Sequence, residues 1–281
     1  MENGSPSLIY FNPFYYGGIV MKFALFTVLM GLILVMTAST WAASDPDLVI
    51  FYSFDKFGNV VSDESGKGHD GTIVGDVKPD AGGKRAGAAK FTKNSYLDLK
   101  GETFPTADVP TGAITLCAWA KPENTGDHQA IFNARAADQT WVVHPEFRGD
   151  GKLRWLLRSA GGTTIFDIQQ GQWTPDQWIH FAGVYNSADS KGILYINGEK
   201  IAEATAAAAN AKIVGDWKMG ARVGKNIDDA RPFGGLMDDL CIYKRALSQS
   251  EIKTVMAGGP LTPTLVSTEG SLTTTWGNIK N

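Results

Sequence analysis

Little in this sequence supports zinc, redox or nucleic-acid chemistry. Its 281 residues include 2 cysteines and 4 histidines. Cys117 and Cys241 stand far apart, and His69, His128, His144 and His180 lack paired ligand spacing, so a zinc signature is absent. The net charge is -3 with no lysine or arginine run, which argues against nucleic acid as a partner. No Gly-x-Ser-x-Gly elbow and no glycine-rich phosphate loop occurs, so two common enzyme signatures are missing. Charged residues make up 20% of the chain and hydrophobic ones 43%, enough apolar material to bury a core and exclude broad disorder.

Long apolar runs are also scarce. One follows Met21-Lys22, covering residues 23–35, and small and polar residues 37–43 come after it. A cationic start, an apolar centre and small residues near Thr40-Trp41-Ala42 have the form of a secretory signal peptide. The run falls short of the roughly 20 residues that a spanning helix needs. Export is therefore expected, with no membrane span in the mature protein and a true start at Met21. The division is a leader at 1–43, a body at 44–259 and a tail at 260–281. The Thr, Ser and Gly-rich tail reads either as a frayed terminus or as an exposed tag around Trp276.

The body shows short segments of strand character separated by Gly, Asn, Asp and Pro. Candidate strands are residues 48–54, 88–91, 96–99, 114–121, 129–134, 140–144, 152–158, 163–168, 178–185, 191–196, 200–206, 217–221 and 234–243. The first carries apolar residues on both faces, which suits a sandwich interior. Asn197-Gly198 between two strands predicts a two-residue hairpin, because both positions accept positive φ. Ser248 with Glu251 forms a capping-box pattern before residues 252–256, and Gly258-Gly259-Pro260 stops it, so one short helix or turn is expected there. The alanine-rich residues 204–211 have no distinct polar and apolar faces and read as a loop. This pattern predicts an all-β sandwich or barrel and disfavours a parallel α/β fold.

An ordered set of motifs narrows the prediction. Phe51-Tyr52-Ser53-Phe54-Asp55 opens the body, and Ser62-Asp63-Glu64-Ser65-Gly66-Lys67-Gly68-His69-Asp70-Gly71-Thr72 follows. Then come Ala89-Lys90-Phe91, Tyr96-Leu97-Asp98-Leu99 and Thr115-Leu116-Cys117-Ala118-Trp119-Ala120-Lys121-Pro122. The last are Trp178-Ile179-His180-Phe181-Ala182-Gly183-Val184-Tyr185, Leu194-Tyr195-Ile196-Asn197-Gly198, and Gly235-Leu236-Met237-Asp238-Asp239-Leu240-Cys241-Ile242-Tyr243. In this order they resemble the laminin G-like, concanavalin A-like jelly-roll family of secreted bacterial proteins. The resemblance implies a two-sheet antiparallel jelly-roll sandwich, without naming a ligand.

It also implies a structural calcium ion between the first loop and the late acidic pair. Asp63 and Asp238 are the leading side-chain ligands, with Asp239 beside them and carbonyls near Gly66 and His69 assisting. The alternative is an Asx-turn and glycine hairpin holding no ion. The sequence departs from the family pattern at Lys67, where Asn is common, and at Asp239, where Glu is common. Cys117 and Cys241 fall in strands that can lie side by side in this family, which leaves a disulfide and two buried free thiols both open.

Some relatives on this fold hydrolyse glycosides through a Glu-x-Asp-x-x-Glu strand, which is absent here. Glu146 and Asp150, in residues 145–151, and Asp228-Asp229 read as solvated turns. Carbohydrate or glycoconjugate binding outside the cell is the leading function, with a protein-binding adhesive module second and a hydrolase or lyase third. Trp141, Trp155, Trp173 and Trp217 are candidates to lie against sugar, whereas Trp119 and Trp178 match core positions. Arg135, Arg148 and Arg222 carry no signal that separates them from other surface arginines.

Overall fold

The computed structural model describes residue 1 and residues 45–261. The leader, its start at Met21 and the tail beyond Leu261 lie outside the described residues.

The first strands are β1 (Leu48–Tyr52), β2 (Val60–Val61), β3 (Gly71–Val74), β4 (Lys78–Asp80), β5 (Ala88–Phe91) and β6 (Tyr96–Asp98). Next come β7 (Ala113–Pro122), β8 (Gln129–Ala130), β9 (Phe132–Arg135), β10 (Trp141–Phe147), β11 (Leu153–Arg158) and β12 (Thr164–Gln170). The series ends with β13 (Ile179–Asn186), β14 (Lys191–Ile196), β15 (Glu199–Thr205), β16 (Gly220–Val223), β17 (Gly235–Tyr243) and the helix α1 (Gln249–Gly258).

These strands form two antiparallel sheets, as the motif order predicts. One has eight strands in the order β15-β14-β13-β7-β17-β5-β4, with β1 also on β17. The other has nine, in the order β12-β11-β10-β9-β16-β6-β3-β2, with β8 on β10.

Period-two alternation sends one side of each strand into the space between the sheets. Phe132, Leu153, Trp155, Leu157 and Val223 of the nine-stranded sheet meet Leu116, Phe181, Tyr185 and Leu194 of the other in one buried core. Trp155 needs room that only glycine leaves: a Cβ on Gly183 would stand 2.5 Å from its ring. Its Nε1–H donates to the Val184 carbonyl at 3.0 Å, so the indole is fixed at both ends.

Local signals explain the ends of elements. Asn197 (φ 51°) and Gly198 (φ 77°) make the β14–β15 turn in the left-handed region that the pair favours. In α1 the Ser248 side chain accepts from the Glu251 N–H while the Glu251 side chain caps Ser248 in return. The helix buries Ile252 and Val255 against the outer side of the eight-stranded sheet, alongside Cys117, Ala182, Val184, Cys241 and Tyr243.

Several segments differ from expectation: Val60–Val61 and Lys78–Asp80 are additional strands, residues 129–134 divide between β8 and β9, and the strand expected at 217–221 is Gly220–Val223, with Trp217 outside it. Gly71–Val74 is a strand where the sequence suggested only loop up to Thr72. Pro145 and Glu146 belong to β10, not to a solvated turn. Pro145 stands where the neighbour on one side of β10 changes from β9 to β8, a break that tolerates a missing N–H.

Candidate functional site

The first acidic loop is knotted around one carboxylate. Asp63 Oδ1 accepts from the N–H groups of Phe51 and Ser65, each at 3.0 Å. Its Oδ2 accepts from the Ser65 hydroxyl at 2.7 Å and the His69 N–H at 2.9 Å. Both oxygens are thus engaged in shaping the turn. The His69 carbonyl accepts the Tyr52 hydroxyl at 2.5 Å, and its imidazole meets Asp108 at 3.0 Å while lying 4.2 Å from the Phe104 ring. Gly66, at φ 84°, supplies the bend. A cleft of about 480 Å³ opens beside the loop, lined in part by Lys67, His69, Asp70, Thr72 and Lys100.

Asp238 and Asp239 lie on β17 where its register against β7 shifts. Asp239 pairs with the Arg85 guanidinium. Asp238 Oδ2 accepts the Arg85 backbone N–H at 2.9 Å, while its Oδ1 is buried without a partner. Burial pushes the Asp238 carboxyl up to about 6, and the charges of Asp239 and Asp55 push the same way. Burial raises Asp239 as well, with Asp55 and Glu64 adding to it and Arg85 opposing. The first loop therefore reaches the acidic pair electrostatically through Glu64, with Asp55 joining from the end of the opening motif. Among the described residues, no group of three or more His, Cys, Asp or Glu side chains is arranged to hold a metal ion. The unpartnered Asp238 oxygen is of the anionic type that hard cations take. Asp63 already accepts hydrogen bonds on both oxygens.

Cys117 and Cys241 are register partners across β7 and β17, so the expected adjacency is present. Both are buried free thiols, which corrects the disulfide alternative. The tryptophans divide two and two. Trp155 and Trp217 are buried in the core, Trp217 between Phe104 and Phe132, which removes both as sugar contacts. Trp173 is half-buried on Phe147, with its Nε1–H donated to the Arg148 carbonyl at 3.0 Å. Trp141 is half-buried at the start of β10.

The outward face of the nine-stranded sheet carries a polar web. At its centre Glu146 is 0% exposed, and its carboxylate receives Arg231 and His144 and has Arg148 and Arg154 each at 3.7 Å. Burial opposes ionisation of Glu146, but the hydrogen bond from His144 and the charges of Arg231 and Arg154 hold its carboxyl below the usual range. Arg154 also grips Asp167 with two bonds of 2.8 and 2.7 Å. His144 Nε2 lies 3.1 Å from Arg158 Nη1, which can only donate, so Nε2 accepts and Nδ1–H donates to Glu146 at 3.2 Å. Burial lowers the imidazole pKa, consistent with this neutral tautomer.

Further along the face, the buried Asn133 donates to the Val143 carbonyl at 3.1 Å and accepts the Ile227 N–H at 3.2 Å. Arg222 donates to the Asn226 carbonyl and to Asp229, each at 3.1 Å. The sequence reading missed His144, Glu146, Arg154, Arg158 and Arg231 as a group. Their signal was the period-two spacing of His144 with Glu146 and of Arg154 with Arg158, on strands paired Glu146 to Arg154.

Two facing antiparallel sheets, one with a polar outward side, define a jelly-roll domain of the lectin-like class. The profile described as the Concanavalin A-like lectin/glucanases superfamily, of laminin G type, matches residues 92–253, more than half of the chain, and the chain belongs to that superfamily. Human pentraxin-related protein PTX3 is 22% identical over 161 residues, which cover 54% of this chain and 41% of the pentraxin. The chain thus spans less than half the length of that relative. Domain 4 of AbnA, an extracellular arabinanase of Geobacillus stearothermophilus solved with arabinotriose, superposes at a TM-score of 0.56 with 26% identity, covering 75% of this chain and 98% of that one. The binding domain of botulinum neurotoxin DC, solved with rat synaptotagmin II, superposes at 0.57 with 11% identity over 75% of this chain and 51% of that one, a likeness of fold alone. Among the described residues no helix is long and apolar enough to cross a membrane.

Proposed function

We propose that this chain is an exported carbohydrate-binding domain whose sugar site is the outward face of the nine-stranded sheet. The observation that carries this reading is the half-buried Trp141 at the rim of a fixed web of donors and acceptors. Sugar sites combine an apolar ring face with a few oriented polar groups, and here the orienting groups are already held by Glu146. Likeness to an arabinanase domain solved with arabinotriose supports the same reading. Calcium belongs to it as a structural ion at Asp238, whose buried Oδ1 would supply an anionic ligand, with Asp239, Asp55 and Glu64 contributing negative field. The ion would tie β17 to the first loop, away from Trp141.

A glycan array that includes arabino-oligosaccharides, run with and without calcium, tests the function. Reproducible sugar binding that weakens at least tenfold in Trp141→Ala supports it. Silence on the array together with capture of a cell-surface protein would replace it with an adhesive role. For calcium, the expected result is a rise in unfolding temperature on adding the ion that is lost in Asp238→Asn. No shift in the parent protein ends the calcium assignment.

A further inference from the structure

The outward face holds more guanidinium groups than carboxylates to pair them. Glu146 takes up Arg231, Arg148 and Arg154, Asp167 shares Arg154, and Asp229 takes Arg222 and Lys225. Two arginines remain without a carboxylate within 4.0 Å among the described residues, Arg135 and Arg158. They flank Trp141 on both sides. The Arg135 guanidinium lies 4.5 Å from the centre of the Trp141 ring, and the two residues are register partners across β9 and β10. Arg158 reaches over from β11 and donates through Nη1 to the Trp141 carbonyl at 3.1 Å.

Neither group is free to leave. Stacking occupies the flat face of Arg135, and its Nε–H goes to the Gln139 carbonyl at 3.1 Å, so its Nη donors point along the guanidinium plane. Arg158 is anchored through Nη1 alone, to Trp141 and to the His144 ring that Glu146 holds in place, and its Nε and Nη2 keep unused donors. Asp138, in the loop between β9 and β10, accepts the Thr140 N–H at 2.9 Å and the Gly161 N–H at 2.8 Å and forms no ion pair with either arginine.

Resting on the carbohydrate reading of this face, we propose that the Arg135, Trp141 and Arg158 patch selects acidic glycans, seating a sugar's carboxylate or sulfate between the two guanidinium forks. A fixed fork matches planar anionic oxygens through paired N–H donors, and the surrounding aromatic and backbone contacts have already reduced its freedom. The attraction at this face weakens as salt screens it.

The test is calorimetric titration with three probes: oligogalacturonate, which carries carboxylates, an oligosaccharide of carrageenan, which carries sulfates, and neutral galacto-oligosaccharide. Each is run on the parent chain and on Arg158→Gln, Arg135→Gln and Arg158→Lys, with the unfolding temperature of each variant measured alongside. The expected result is binding of at least one acidic probe in preference to the neutral one, weakened roughly ten- to hundredfold by either glutamine variant. Arg158→Lys should recover only part of that loss, because it restores charge without the fork. Which acidic probe binds identifies carboxylate or sulfate as the natural group. Equal binding of the neutral probe, or acidic binding unchanged in both glutamine variants, overturns acidic selectivity and leaves a neutral-sugar site standing. Binding of no probe here and no sugar on the array overturns both readings. Should Arg158→Gln unfold, Arg135→Gln decides alone, since it removes no bond to the His144 and Glu146 web.

Discussion

The outward sides of the two sheets solve the same problem in opposite ways. Both must keep water from strands whose inner side is already in the core. On the eight-stranded sheet the chain lays its own helix across Val184, Tyr243 and their neighbours, and Ile252 and Val255 close the seam. On the nine-stranded sheet no helix of the described residues covers the face. There, Glu146, His144 and the arginines shield one another, leaving Trp141 half-buried at the rim. An apolar lid closes a face for good, whereas a charged web keeps donors in fixed places where a ligand can use them.

The largest expected effect breaks the web at its centre. Glu146→Gln leaves Arg231, Arg148 and Arg154 without their shared counter-charge, and removal of one partner from a buried ion pair costs about 3–5 kcal/mol. Urea unfolding measures it, and a loss below about 1 kcal/mol would mean that the charges do not hold this face. A somewhat smaller effect is expected on the other side. Ile252→Ala removes a buried side chain from under the helix and should cost about 2–5 kcal/mol, while leaving sugar binding unchanged by titration. If binding falls as well, the two faces are coupled and the contrast between them fails.

The smallest effect at neutral pH separates two buried histidines. His144 has partners on both ring nitrogens, whereas His180, on the helix-covered side, is buried with Nδ1 unpartnered. Burial, aided by the nearby Arg85 charge, lowers His180 to about 3. The unfolded chain takes up this proton below its ordinary value of about 6.5 and the folded chain does not. Stability from this group therefore falls as pH drops from about 6.5 toward 3. His180→Phe should flatten that acid limb of a plot of unfolding free energy against pH. Parallel curves for the two proteins would show that the folded state protonates this ring freely.

Strand positions were legible because burial on one side imprints alternation. Ala88–Phe91 and Lys191–Ile196 were read with the ends they have, and the Asn197-Gly198 turn and the Ser248 cap follow from local chemistry alone. Glu146 was not legible. A proline beside a glutamate reads as a turn when the strand pairing is unknown, and only the change of neighbour from β9 to β8 makes Pro145 acceptable in a sheet. The web joins the adjacent strands β10 and β11 to Arg231, which lies far along the sequence, so spacing alone could not complete it. The surroundings of Asp63 were hidden for a related reason. A carboxylate in a glycine-rich loop has the composition of a cation ligand, and only the four donors around it show that both oxygens are occupied by the loop itself.

The facing thiols at the middle of the eight-stranded sheet give this molecule an internal clock. Cys117 and Cys241 are wholly buried, and the hydrogen bond to Cys117, together with burial, pushes the Cys241 thiol up. An alkylating reagent in solution needs an exposed thiolate. The pair lies under α1 on the outer side of the sheet, so the reagent reaches it when the helix lifts, and its labelling rate counts those undockings. Loop motion at the outward face of the nine-stranded sheet would leave that count untouched.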